Sequence, residues 1–221
     1  MILTPIALSD VPPLVAAFDT LLTDTALARR VFARIAETCA FIVGETIDLS
    51  TDPDHHREAV DLVRAFGLGV IEGPPSAGFT WDGRAVRAEL EPSVLVHEIG
   101  HWQVCAPERR SVIDFGLGAG PETGIKAPAD AVATVTGVLG DLEEALASLL
   151  GILWEAELDQ PAILAFLEQN WLAGGATEGN RAHFVKIVNH LSAYGFLTEE
   201  GRPTRQARTE SDSVFLESLL A

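Results

Sequence analysis

The stretch Val94–Trp102 reads VLVHEIGHW. It sets His97, Glu98 and His101 inside an apolar run, where a core helix would otherwise bury Val, Leu and Ile. In a helix, His97 and His101 differ by only about 40° of azimuth, so both imidazoles share one face and can grip one cation without moving the backbone. Glu98 points roughly 100° away from His97. That makes it a poor ligand beside His97 and suits it to reach a water on the metal, the general-base position of an H-E-x-x-H motif. Val94, Leu95, Val96, Ile99 and Trp102 would wall the site from bulk water. A dry wall strengthens metal–ligand electrostatics and lets the ion acidify its water. The competing reading is a pair of hydrogen-bonded core histidines. The motif leaves the metal open: zinc with an activated water gives hydrolysis, and iron(II) with two histidines and a carboxylate gives oxygen chemistry.

Two histidines hold a metal weakly, so a further protein ligand is expected, and a carboxylate is the usual choice where no third histidine serves. Downstream candidates are Asp114, Glu122, Glu143 and Glu144. Glu122 falls in a loop, a less rigid platform. Glu143 and Glu144 lie in a helical pattern with apolar neighbours at 139, 142 and 146, and a buried carboxylate is costly unless paired or coordinated. One of these two is the expected ligand. The remaining histidines carry less: His55–His56 diverge as a vicinal pair, and His183 and His190 stand two turns apart, so surface or core roles are expected for them.

Around the motif the chain reads as mostly helical. Pro12–Pro13 opens a helix through LVAAFDTLLTD, and a second covers TALARRVFARIAETCAFIVGE. Thr51 or Asp52 caps a third through HHREAVDLVRAFGLG, with Pro53 at its first turn. GPPSAG, residues 73 to 78, is a loop and a candidate boundary. Asp82–Gly83 is a hairpin-type turn, followed by a weakly alternating edge strand at Ala85–Leu90. Pro92 opens the metal helix. The Gly-rich loop from Asp114 to Gly124 lacks phosphate-loop spacing and serves better as a rim over the site. A long helical pattern spans Pro128 to Leu158, with Gly137 and Gly140 as breaks. Pro161 opens another helix, AILAFLEQNWLAGG, and NRAHFVKIVNHLSAYGF forms the last long one. Residues 198 to 210 are polar and read as loose, and SVFLESLLA as a short docking helix.

Composition bounds the partners. The 221 residues carry a net charge of −17, which makes nucleic acid and anionic membrane surfaces poor partners, since both need a cationic footprint. Two cysteines, Cys39 and Cys105, make neither a disulfide framework nor a Cys-rich zinc site. MILTPIALSDVPPLVAAF has no basic n-region, and no apolar run approaches the ~20 residues of a membrane span. A cytoplasmic protein is the expectation.

The segment HEIGHWQVCAPERRSVIDFG resembles the signature of the bacterial elongation factor P hydroxylase family: H-E-x-x-H-W, then paired arginines, then Asp-aromatic-Gly. The match takes in His97, Glu98, His101, Trp102, Arg109, Arg110, Asp114 and Gly116. GRAVRAELEPSVLVHE is similar to the family's strand entering the metal helix, and DLEEALASLLG to the segment supplying its further carboxylate, with Glu143 the matching position. The resemblance runs from about Gly83 to Leu191. It implies a non-haem metal hydroxylase acting on a lysine-derived side chain of an elongation factor P-like protein. It also implies Fe(II), with zinc the alternative, held by His97, His101 and Glu143. Arg109, Arg110 and Asp114 would then orient the ligands through hydrogen bonds. Where the family carries aromatic residues after Asp-Phe-Gly, this chain has Leu117–Gly120. The helical stripe Leu139, Leu142, Leu146 and Leu149 passes close to Glu143 as well, which leaves Glu144 and Glu122 as the alternative ligands.

The expected fold is α+β and mainly helical, a zincin-like metal helix beside a small sheet. The expected organisation is a helical region 1–80 packed on the core, a metal-binding catalytic core 81–197 with Glu98 as its proton-transferring group, and a loose segment 198–221. A zinc-dependent hydrolase or peptidase on the same ligands is the alternative function.

Overall fold

The computed structural model describes residues 6–44, 50–73 and 78–215. The centre of GPPSAG and the end of SVFLESLLA lie outside the described residues. Eight α-helices and two short strands make up the regular structure of the rest: α1 Val11–Leu21, α2 Ala26–Glu37, α3 Pro53–Ala65, β1 Gly69–Ile71, β2 Ala85–Arg87, α4 Pro92–Val104, α5 Lys126–Ala131, α6 Gly137–Glu157, α7 Ala162–Glu168 and α8 Glu178–Ala193. The protein is therefore mainly helical with a two-stranded sheet, as the sequence indicates. None of these helices is long and apolar enough to cross a membrane.

Helix starts follow local chemistry. Asp52 caps α3 by accepting from the Asp54 amide at 2.8 Å, with Pro53 in the first turn. Thr177 caps α8 through the Asn180 amide, and Pro92 opens α4. The long pattern after Pro128 is two helices, broken between Ala131 and Gly137, where Gly137 adopts φ +62°. β1, which the sequence did not announce, pairs parallel with β2 in the register Gly69↔Ala85. The two strands fall on either side of the expected boundary at residue 80. The Asp82–Gly83 turn is as expected: Asp82 Oδ1 accepts from the Arg84 and Ala85 amides at 2.8 Å each, and Gly83 has φ +96°.

Two apolar clusters flank the α4–α6 pair. In the larger one, α1 and α2 meet α6, α7 and α8 around the interlocked rings of Phe18, Phe32, Phe166 and Phe184. In the smaller one, α3 packs against α4 through Ala59, Val60 and Val63 with Leu95, Val96 and Ile99, closed by Trp154. Each large side chain so buried contributes about 1.5–3 kcal/mol. Between the clusters, α4 and α6 nearly touch along their backbones. A Cβ on Gly100 would stand 2.2 Å from the Ala147 carbonyl oxygen, and one on Gly151 2.8 Å from His97 Cα. These contacts run in opposite order along the two helices, so the pair is antiparallel.

Over its described residues, 198–215, the segment after α8 is docked on the core rather than loose, and 216–221 lie outside the described residues. Arg208 is 1% exposed. Its amide donates to the Gln103 carbonyl at 2.8 Å, and the Gln103 side-chain amide donates to the carbonyls of Thr204 and Gln206 at 2.7 Å each. The segment reads as polar because its polar groups are what it uses to dock.

Candidate metal centre

The close approach of α4 and α6 brings one carboxylate to both imidazoles. Glu144 Oε1 lies 3.1 Å from His97 Nε2, and Glu144 Oε2 lies 3.2 Å from His101 Nε2. The three donor sets fall within 4.8 Å of one another, a spacing that metal–ligand bonds of about 2 Å can span. The two rings meet edge to face at 4.6 Å between centroids. His101 is buried, His97 partly so, and Glu144 stands at the mouth with its side chain 55% exposed.

The carboxylate that stands against both imidazoles is thus Glu144, the alternative candidate, rather than Glu143. Glu143 is fully buried, as its apolar neighbours suggested, but its partner is Arg109: Nη2 donates to Glu143 Oε2 at 2.5 Å. Burial was read correctly, and the cation that compensates it is a guanidinium. Glu122 lies near but outside the three-donor group; its carbonyl accepts from Arg87 Nη2 at 3.2 Å.

Electrostatics in the site are those of donors converging without a fixed cation. Burial disfavours the charged form of His101, but the Glu144 charge and hydrogen bond outweigh it and raise the imidazole to about 9. Burial opposes ionisation of Glu144 too, yet the charges of His101 and His97 hold its carboxyl well below the usual range. A divalent ion bound by these three residues would displace the protons they hold. Glu98 is 5% exposed, and burial pushes its carboxyl up to about 7. Its Oε2 has no hydrogen-bond partner among the described residues. It faces a small cavity of about 60 Å³ shared with His97, His101 and Glu144, enough for about two waters.

The resemblance implied hydrogen bonds from Arg109, Arg110 and Asp114 to the ligands, and the structure has none to the imidazoles. Nδ1 of both His97 and His101 is buried without a partner among the described residues. Packing orients them instead: the Phe115 ring stacks on His101 at 5.5 Å, and Trp81 stacks on Phe115 at 5.1 Å. Asp114 and Phe115 adopt φ of +43° and +54°, a costly conformation for non-glycine residues. Asp114 holds that turn, accepting from Thr80 Oγ1, Thr123 Oγ1 and the Trp81 amide. Arg110 stacks over Trp102 and donates to its carbonyl at 3.0 Å. The Gly-rich loop does form a rim: Leu117, Gly118, Gly120 and Pro121 line the small cavity, anchored by Asp130 on the Ala119 amide and by Gly124 on Gly78.

A larger cleft of about 440 Å³ opens on the other side of His97 and Glu144. Sequence reasoning missed most of its wall. Asp141, Glu168, Glu122, Asn180, Trp171 and His183 line it, and no Lys or Arg among the described residues does. Trp171 and His183 stack at 5.2 Å. The one available signal was Asp141, a single turn before Glu144 on α6. His55 and His56 diverge as expected, toward Ser50 and the Ala88 carbonyl.

No protein-family model, curated protein or solved structure matches the chain.

Proposed function

We propose that the protein is a divalent-metal enzyme, zincin-like in layout, with His97, His101 and Glu144 as ligands and Glu98 as its proton carrier. The reaction best supported is hydrolysis of an amide next to a cationic, lysine-like group. The carrying observation is the placement of Glu144 against both imidazoles, with the unpartnered Glu98 oxygen in the same cavity. A bound divalent ion would polarise an acyl oxygen and acidify water. Glu98, buried and titrating near neutrality, accepts a proton at Oε2 and can return it to a leaving amine. Glu98 is buried and Phe115 lines the same small cavity, which limits the access of bulk water. The carboxylates of the larger cleft select a positive substrate by charge.

Hydroxylation of a lysine-derived side chain on an elongation factor P-like protein is the second reading. The residues from His97 to Gly116 favour it, and so does the acidic cleft, since two histidines and one carboxylate also suit iron(II). One experiment separates the two. The metal-free protein is reloaded with zinc or, without oxygen, with iron(II), then offered a panel of lysyl amides and peptides. Zinc-supported amide cleavage is the expected result. Oxygen uptake with iron alone would transfer the assignment to the hydroxylase, and inertness with both metals would overturn the enzyme reading.

A further inference from the structure

The back of α4 carries a second set of charges. An α-helix leaves its last carbonyls without intrahelical donors. In α4 three of these are taken by arginine or its backbone: Trp102 by Arg110 Nε at 3.0 Å, Gln103 by the Arg208 amide at 2.8 Å, and Val104 by Arg208 Nη1 at 2.9 Å. Cations suit this end of the helix dipole. His101, a proposed ligand, lies in that last turn.

Arg208 does not act alone. Its Nη2 donates to Asp212 Oδ1 at 2.5 Å, and its guanidinium lies over the Phe215 ring at 4.2 Å. Asp212 also receives Arg109, through Nε at 2.5 Å and Nη2 at 2.9 Å. Arg109 in turn reaches Glu143, the residue before Glu144, and donates through Nη1 to the Phe115 carbonyl at 2.5 Å. Phe115 is the residue whose ring stacks on His101. Two cations and two anions therefore close a quartet that is buried except for part of Asp212. It joins the C-terminal segment to three elements around the proposed ligands: the backbone at the end of α4, the Glu143 side chain on α6 and the Phe115 carbonyl.

We propose that residues 203–215 act as a clamp on the metal centre, with Asp212 and Arg208 as positioning residues, so that docking of the segment and binding of the ion strengthen one another. The inference rests on the metal-centre reading. Neither residue reaches the ion; they fix the backbone from which His101, Glu144 and Phe115 project. Coupling of this kind is reciprocal: whatever factor the docked segment adds to metal affinity, the metal adds to docking.

The test uses the full chain and cobalt(II), whose visible absorption reports ligand geometry. Asp212→Asn keeps the side-chain shape and removes the anion between the two arginines. It should weaken cobalt(II) about tenfold, in the range for residues that orient ligands, and alter the absorption envelope; Asp212→Glu should recover part of both. In the unmodified protein, cobalt(II) should slow amide hydrogen exchange across 203–215, including the Arg208 amide, by about the same factor. Wild-type affinity and spectrum in Asp212→Asn would overturn the clamp, as would exchange in 203–215 that ignores cobalt(II). Should Asp212→Asn fail to fold, the exchange measurement alone decides. Failure of the unmodified protein to take up cobalt(II) would sink the metal centre and the clamp together, whereas uptake without coupling would sink only the clamp.

Discussion

The front and back of the α4–α6 pair are built from the same kinds of residue and solve opposite problems. At the back, Arg109, Arg208, Glu143 and Asp212 pair with one another, and their charges cancel. At the front, His97, His101, Glu98 and Glu144 converge with Asp114 and Glu122 on a cavity that no Lys or Arg among the described residues lines. Charge is balanced at the back, and the front carries an excess of carboxylates. Glu143 and Glu144 are sequence neighbours separated by about 100° of helix azimuth, and that rotation alone sends one to a guanidinium and the other to two imidazoles. Of these two, the fully buried carboxylate pairs with a guanidinium, and the partly exposed one faces the imidazoles and the larger cleft.

Substitutions can break that contrast from either side. At the front, Glu98→Gln removes a proton acceptor while keeping the side-chain shape. It should lower turnover by about 10²–10⁴-fold, the usual contribution of a general base, and leave metal content unchanged in elemental analysis. Loss of metal with it would make Glu98 part of the ligand shell. At the back, Glu143→Ala leaves Arg109 buried with less than its full set of partners. Breaking a buried pair costs about 3–5 kcal/mol, measurable by denaturant unfolding; a cost under about 1 kcal/mol would mean that the quartet holds nothing together.

Between the two faces, Gly151→Ala tests the contact that brings them into range. Its Cβ would press on His97 Cα at 2.8 Å, and overpacking of this kind costs about 1–3 kcal/mol. Metal affinity should fall with it, because the histidine moves against Glu144. Stability lost with affinity intact would show that the helix spacing is not what sets the site. The smallest expected effect is a pH dependence. Glu144 holds His101 protonated up to about 9, so an ion binding below that pH must displace a proton. Apparent affinity should rise with pH through the neutral range, by up to about tenfold per unit for one displaced proton, and level off once His101 is neutral. A flat profile between pH 6 and 8 would mean that the imidazole is already free.

Much of the front was legible in the sequence, and little of the back. The spacing of His97 and His101 fixed a shared helical face, and Pro92 marked the start of that helix. The stripe through Leu142, Leu146 and Leu149 indicated that Glu143 would be buried. What it could not reveal was the identity of the compensating cation, since Arg109 is brought to Glu143 by the turn after α4 rather than by helical periodicity. The proposed ligand, Glu144, falls at the edge of the stripe, where α6 meets the cleft. The same reasoning explains the C-terminal segment. Arg208 and Asp212 are polar in a polar stretch, and only the folded chain shows that Arg208 caps α4 and Asp212 neutralises Arg109. β1 escaped because three residues, Gly69–Ile71, offer no usable alternation. The acidic cleft escaped because Asp141, Glu168 and His183 come from three separate elements.

The central claim is that Glu144, and not Glu143, completes a metal site with His97 and His101. Calorimetric titration of the metal-free protein with zinc tests it most directly, comparing Glu144→Ala with Glu143→Gln. The account predicts one tight equivalent in the unmodified protein and a loss of about 100-fold or more in Glu144→Ala, which removes a ligand outright. It predicts about tenfold in Glu143→Gln, whose effect passes through the backbone. Equal losses in the two variants, or a larger one at Glu143, would contradict it.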